Sequence, residues 1–445
     1  MSSTQTQIKK ITLLSCCAIV AGNMMGSGIA LLPANLAAIG SITAISWIIA
    51  IIGALGLAYL FSTLGTINPQ EGGLVAYAGE VSPILGHQTG VLYFHANWIG
   101  NLAIGITAVS YLSVFFPSLT SPIPAGITTI IIIWFFAGLN LLGAHWVARF
   151  ATIGVAALLI PVILTGTVGW FFFSPVTFAA NWNVSGSPHF HAIVSGVLLC
   201  IWSFIGVESA AVDANLVENP KRTIPISTMV GTGIAAIVYL LSSMAINGMF
   251  PAKQVADSGA PFSLAIQHIT GYGHAGQIVS LITAFACLTS LSSWVMLVAQ
   301  AGARAAHDGN LPKIFGVLNR KKIPAMGILL TSSFMTILML ILMAFKGNSA
   351  QIFGEVISIA VLMTILPYYY SSLNLIRIVE HRKCAFFQLL AGFIAILFCL
   401  IGLFGASKSA ILATLIFSLG TFIFYIAKDR SKYEKHMRKE ANQLL

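Results

Sequence analysis

Residues 22–28 read GNMMGSG and lead through IALLP to Pro33, and residues 202–209 read WSFIGVES with a carboxylate at Glu208. Both stretches interrupt long apolar runs. Glycine inside a helix costs up to about 1 kcal/mol relative to alanine. Irregular backbone at membrane depth is tolerated only where it is buried in protein or lines a cavity. If the chain lies in a membrane, each stretch predicts a helix broken at mid-depth.

Composition places it there. Of 445 residues, 57% are hydrophobic and 8% are charged, whereas soluble domains carry about 25% charged residues. The 22 Lys+Arg and 12 Asp+Glu are too few to cover the roughly three soluble domains that this length would otherwise suggest. A soluble enzyme, a secreted domain and a disordered chain are excluded. The expected fold class is an all-α membrane protein.

Apolar runs of about 20 residues predict twelve transmembrane helices, near 11–39, 42–64, 89–115, 123–143, 151–173, 191–214, 227–250, 275–303, 324–345, 352–376, 385–405 and 409–427. The two interruptions fall in spans 1 and 6. Five spans separate them, so the two units have opposite orientation, a five-plus-five inverted repeat over about 11–173 and 191–376, with two additional helices over about 385–427. Interrupted spans in corresponding positions of two halves point to a transporter's binding site. No connection is long enough for an extramembrane domain, so residues 1–445 form a single transporter domain.

The net charge of +10 is a topology signal. On the twelve-span reading, 19 of the 22 basic residues fall on the side of the two termini, and only Lys253, Lys346 and Lys408 lie opposite. The positive-inside rule then puts both ends in the cytoplasm, and nucleic acid is not needed as a partner. The first span is too long for a cleaved signal core. The six cysteines lie in spans or near the cytoplasmic face, so no disulfide framework is expected. No metal-ligand spacing such as HExxH is present, and no metal or cofactor is expected.

Within span 1, Gly22 and Gly26 form a GxxxG, which also suits close helix packing. The alternative is functional. An unwound Gly26-Ser27-Gly28, with Asn23 one turn before it, exposes the N–H groups of the following half-helix, whose positive dipole end attracts a carboxylate. Glu208 is the sharpest single residue. A carboxylate at a span centre costs about 3 kcal/mol on insertion scales and is a functional hypothesis by default. No Lys or Arg lies at similar depth, which suggests a proton-sensitive switch or a counter-charge for a cation. Aromatic faces attract cations by about 0.5–2 kcal/mol each, and Tyr93, Trp98, Trp202, Trp294, Tyr368 and Tyr369 lie in spans 3, 6, 8 and 10. Asn97, Asn101, Ser203 and Ser290 are available to orient a ligand. Asp213 and Glu355 are read as closer to the interfaces.

The blocks GNMMGSGIALLPANLA (22–37), LYFHANWIGNLAIGITAVSYLS (92–113), WSFIGVESAAV (202–212) and ENPKRTIPI (218–226) resemble the bacterial basic amino acid/polyamine antiporters of the amino acid–polyamine–organocation superfamily. HANWIGN (95–101) and FACLTSLSSW (285–294) are most similar to the lysine/cadaverine branch. The resemblance implies a twelve-helix inverted-repeat fold, often a homodimer, in the bacterial inner membrane. It implies exchange of external lysine for internal cadaverine, which contributes to acid resistance together with a cytoplasmic lysine decarboxylase.

By the same resemblance, Asn23, Ser27 and Gly28 receive the substrate's carboxylate and α-amino group, together with the Ile205 backbone. Trp202 stacks on the aliphatic stem, Asn101 and Trp294 face the distal amine, Tyr93 and Tyr368 act as gates, and Glu208 is the proton-sensitive gate. Tyr77, Tyr239, Asp308 and Tyr425 match positions shared in the lysine branch, near the cytoplasmic path or rim, and Glu355 lies near the outer end of span 10. Phe94 and Asp213 depart from the pattern. The open alternatives are a proton-coupled symporter of the same fold and exchange of arginine/agmatine or ornithine/putrescine. An intramembrane enzyme would need a nucleophile–base pair or metal set in the spans, and neither is present. A channel would need a ring of filter residues.

Overall fold

Helix formation begins at Thr12, whose Oγ1 accepts the Ser15 N–H and caps α1 (Leu13–Met24). The computed structural model describes residues 12–25, 27–68, 73–143, 147–208, 217–344, 347–380 and 385–443. After a 3-10 turn at Ser27–Ile29, α2 (Leu32–Ile39) restarts the helix with Pro33 in its first turn, where the missing N–H would be unpaired in any case. Gly40, at φ +124°, then turns the chain into α3 (Thr43–Ile67).

A short α4 (Leu74–Val81) precedes the 30-residue α5 (Pro83–Leu112). Next come α6 (Pro122–Leu141), α7 (Val147–Thr167), α8 (Pro175–Ala180) and α9 (His189–Trp202). The second half continues with α10 (Pro220–Met249), α11 (Ala252–Ala256), α12 (Pro261–Thr270) and α13 (Ala275–His307). It ends with α14 (Ala325–Met343), α15 (Ser349–Val379), α16 (Phe386–Phe404) and α17 (Lys408–Gln443). Proline at the first position starts α5, α6, α8, α10 and α12, and a reciprocal Asn348–Gln351 capping box starts α15. Among the described residues the regular structure is helical, apart from one bridge residue at Val217.

Eight helices are long and apolar enough to cross a membrane: α3, α6, the stretch Thr152–Phe172, Lys221–Met249 of α10, α13, α14, α15 and α16. Leu13–Gly22, His189–Trp202 and Lys408–Ile423 are apolar but shorter. The first two are short because the chain leaves the helix at Met24 and Trp202. α5 is long enough but less apolar, because it carries His87, Gln88, His95, Asn97 and Asn101. Large apolar side chains face outward on α6 (Ile123, Ile127, Ile131), α16 (Phe386, Phe393, Phe404) and α17 (Leu412, Ile416, Ile423). Polar ones such as Gln88, Asn101, Asn140 and Asn374 are buried. A contiguous apolar exterior around a partly polar interior suits lipid as the surrounding solvent. The chain is a multi-pass membrane protein.

One buried amide fastens the loops at the α2–α3 end. Asn181 Nδ2 donates to Asn247 O at 2.9 Å and Phe250 O at 2.8 Å, while its Oδ1 accepts the Ala252 N–H at 2.8 Å. Its own carbonyl accepts the Ser41 N–H at 2.8 Å. Asn181→Ala would strand two carbonyls and one N–H in a closed space. The expected loss is about 2–4 kcal/mol, at roughly 1 kcal/mol per stranded group, read as a lower melting temperature of the purified protein in detergent. An unchanged midpoint would remove Asn181 from this role.

Candidate functional site

The break between α1 and α2 frees backbone carbonyls, and two tyrosines take them. Tyr239 Oη on α10 donates to Met24 O at 2.6 Å, and Tyr111 Oη on α5 donates to Ala30 O at 2.8 Å. Both tyrosines are fully buried, so each hydroxyl meets its need for a partner while holding the break open. Trp47 and Phe204 pack on the Tyr239 ring, with centroids 5.9 and 6.0 Å away. A Cβ on Gly22 would meet no described atom within 4 Å, and Gly26, the other half of the GxxxG, lies outside the described residues.

The second break is sharper. α9 ends at Trp202 and the chain turns through residues 203–208, with Gly206 at φ +106°, a conformation that excludes a side chain at low cost only for glycine. The turn aims Glu208 inward, where the residue is 2% exposed. Oε1 accepts Tyr93 Oη of α5 at 2.6 Å, and Oε2 accepts Tyr368 Oη of α15 at 2.8 Å. The Gly206 N–H adds 3.1 Å to Oε2. The sequence has no cation at this depth, and the carboxyl is held instead by two hydroxyls and an amide. O–H···O bonds this short are well formed. Their donors stand on two helices, so the carboxyl couples α5, α15 and the α9 turn.

Trp202 lies between two glycines. A Cβ on Gly28 would come within 2.6 Å of Trp202 Nε1, and one on Gly100 within 3.0 Å of Cη2. The indole therefore rests against bare backbone of the α1–α2 break on one edge and of α5 on the other. Trp202 Nε1, Ser203 Oγ and Asn101 Nδ2 are buried donors with no partner among the described residues. Buried donors cost free energy unless paired, so a ligand offering acceptors is favoured at this spot. One buried carboxyl, an aromatic wall and unpaired donors beside a helix break together suit a small amine that also carries a polar group.

Other expected residues fall around this centre or away from it. Asn97 Nδ2 donates to Tyr93 O at 2.6 Å, and the Ile205 N–H to Trp202 O at 3.3 Å. Trp294 is half-buried on α13, whose face also packs on the Ser27–Ile29 turn. Ser290 is buried on the same helix. Tyr77 is fully buried in α4. Asp308 sits exposed at the end of α13, paired with Arg304 Nε at 3.1 Å. Glu355, also exposed, accepts from Ser407 and Ser409 Oγ at 3.2 Å. Tyr425 packs on His87 with centroids 5.2 Å apart.

Trp98 turns away from the site and donates to His95 Nδ1 at 2.8 Å. Phe94 turns to Phe315, at 5.3 Å. The side chains of Asn23 and Ser27, and all of Asp213, lie outside the described residues. Gly100 and Tyr111 were not singled out from sequence. Only their position opposite Trp202 and Ala30 marks them.

The chain is similar to known transporters over most of its length. The chain is 52% identical to the cadaverine/lysine antiporter of Escherichia coli K12 over 432 residues, 96% of this chain and 97% of that protein. It is 32% identical to the putrescine transporter PotE of the same organism, over 84% of this chain and 85% of PotE. Against PotE of Haemophilus influenzae it is 30% identical, over 94% and 96%. These relatives are transporters, not enzymes. The amino acid permease family model matches residues 11–417, which include both helix breaks and the Glu208 carboxyl, and the chain belongs to that family.

Proposed function

We propose that this chain is a secondary antiporter that takes up external lysine and releases internal cadaverine by alternating access. The observation that carries the reading is the Glu208 carboxyl, buried between Tyr93 and Tyr368 six residues after Trp202. The identity to the cadaverine/lysine antiporter supports the substrate pair. Cadaverine has no carboxylate, so one site must take both ligands through a shared ammonium and aliphatic stem. Aromatic walls with a single gripped carboxyl serve that need better than a fixed ion pair. Asn23, Ser27 and Gly28 at the first break, with the Ile205 backbone, receive the amino acid end of lysine. Asn101 and Trp294 face the distal amine, and Asn97 and Ser203 help to orient the ligand.

The fold we infer is finer than the eight long apolar helices. α5, α9, α17 and the α1–α2 pair complete twelve spans. They are arranged as a five-plus-five inverted repeat followed by two further helices, in one domain. The distribution of basic residues supports an inner-membrane protein with both termini in the cytoplasm. A homodimer and functional coupling to a cytoplasmic lysine decarboxylase complete the proposal. Lysine carries net +1 and cadaverine +2, so each cycle exports one positive charge. An inside-negative potential opposes this by about 2.3 kcal/mol per 100 mV, and the concentration gradients must drive it. Decarboxylation consumes a proton, so the pair would lower acidity in the cell and contribute to acid resistance. Tyr77, Tyr239, Asp308, Glu355 and Tyr425 belong to the path or its rims.

Counterflow tests the substrate pair. Proteoliposomes preloaded with cadaverine, putrescine or agmatine in turn are offered labelled lysine, ornithine or arginine. Fast lysine uptake against cadaverine, and little into empty vesicles, is expected. Accumulation in empty vesicles driven by a proton gradient would instead identify a symporter. The 30–32% identity to the putrescine transporters makes ornithine against putrescine the pair to exclude.

A further inference from the structure

The seam between α5 and α15 is closed from two sides. On one side Glu208 takes a hydroxyl from each helix, Tyr93 and Tyr368. On the other side stands α17. Tyr370 Oη donates to Gln88 Oε1 at 2.6 Å, and Gln88 Nε2 donates to Ser418 Oγ at 2.7 Å. Gln88 is 2% exposed. Both ends of its amide are therefore committed, to partners that are themselves half-buried.

Helix geometry separates the two closures. Along α5, Gln88 precedes Tyr93 by five residues, about 140° round the axis and about 7.5 Å along it. Along α15, Tyr370 follows Tyr368 by two, about 200° round and about 3 Å along. The helices run antiparallel at the seam, so both steps lead toward the same end of the bundle. α17 also follows the back of α5 through Phe417 on His95, at 4.6 Å, and Tyr425 on His87, at 5.2 Å. A turn of α5 alone that withdraws Tyr93 from Glu208 would drag Gln88 off Tyr370 and Ser418. A joint movement of the three helices would break none of these bonds.

We propose that Gln88 is a positioning residue that bolts α5, α15 and α17 into one body, so that Tyr93 and Tyr368 grip or release the Glu208 carboxyl together. For its link to exchange this rests on the antiporter reading above. It brings α17, whose Leu412, Ile416 and Ile423 face outward, into the moving machinery.

Hydrogen–deuterium exchange on the full chain in lipid nanodiscs tests the bolt without any substrate. Tyr370→Phe, which removes one interhelical bond, should raise uptake in the 203–208 turn, across the seam, by about threefold, and Gln88→Leu, which removes two, by up to about tenfold. The double variant should add little. Gln88→Glu keeps an acceptor for Tyr370 and can accept from Ser418 Oγ–H, and should restore protection. Uptake that stays at the wild-type level in the turn, or rises in α17 alone, overturns the proposal. Should Gln88→Leu not fold, Tyr370→Phe, which removes one oxygen, decides it.

In proteoliposomes, the rate–pH curve of lysine exchange should move to higher pH than wild type in both variants, because loosened tyrosines hold the charged carboxyl less well. A variant with less folded protein but a superimposable curve counts against the bolt. If the wild type itself exchanges no lysine for cadaverine, the substrate reading falls, and the deuterium uptake still decides the bolt.

Discussion

Glu208→Gln is expected to leave exchange running and to remove most of its dependence on pH, holding the rate near the wild-type acid value up to neutrality. The reason lies in the donors. Tyr93 Oη, Tyr368 Oη and the Gly206 N–H all point hydrogens at the carboxyl, and each bond to the charged form contributes about 1.5–3 kcal/mol. A proton on Glu208 turns one acceptor oxygen into a donor, so the facing tyrosine must accept instead of donate and the charge-assisted part of that bond is lost. Glutamine presents an N–H₂ in the same place at every pH, so it imitates the protonated acid permanently.

The direction follows. Exchange in the wild type should be faster in acid, when the grip is loose, and should fall by about tenfold toward neutrality if one such bond is regained. Initial rates of labelled lysine uptake into cadaverine-loaded proteoliposomes, measured from acid to neutral pH, check this. Tyr368→Phe leaves the carboxyl one hydroxyl and should fall between the two curves. A Glu208→Gln curve with the full wild-type slope would place the proton-sensitive group elsewhere.

How far sequence can reach is visible in these same residues. Both helix breaks were legible because Gly-Ser-Gly and a carboxylate violate the smooth hydropathy of a span, and the structure ends α1 at Met24 and α9 at Trp202. Glu208 stood out for the cost of its charge. On physical grounds Tyr93 and Tyr368 stood out only among the aromatic candidates for a cation, not as partners of the carboxyl. Tyr93 and Tyr368 lie 115 and 160 positions away, and hydropathy treats a buried tyrosine much like any other aromatic residue. Resemblance alone singled them out as gates. Tyr239 was expected somewhere on the path, but its bond to Met24 O, across 215 positions, belongs to tertiary packing. Hydropathy also underrates α5, because the helix that lines a polar site must carry polar residues. Gly100 is one of 40 glycines, and nothing local distinguishes it.

That glycine and its counterpart carry the other large effect. Gly28→Ala should lower lysine exchange by ten- to a hundredfold without loss of protein from the membrane. The added methyl would lie 2.6 Å from Trp202 Nε1, closer than packing allows, and the ring has nowhere to retreat because Gly100 already meets its far edge. Forcing a side chain out of a tight seat costs about 1–3 kcal/mol, which is that range in rate or affinity. If Trp202 is the wall against which the substrate stem stacks, the loss should appear mainly in apparent affinity. Gly22→Ala is the control, since a Cβ there meets no described atom within 4 Å, and it should exchange like wild type. Trp202→Phe removes the outer ring atoms that face Gly100 and so gives the smaller ring room to retreat from the new methyl. In a Gly28→Ala background it should therefore recover part of the exchange that the single change removes, although alone it weakens stacking. Such non-additivity is expected of residues in direct contact. Equal, additive losses would mean that Gly28 acts through something other than the indole, and normal exchange by Gly28→Ala would show that the ring is free to leave its seat.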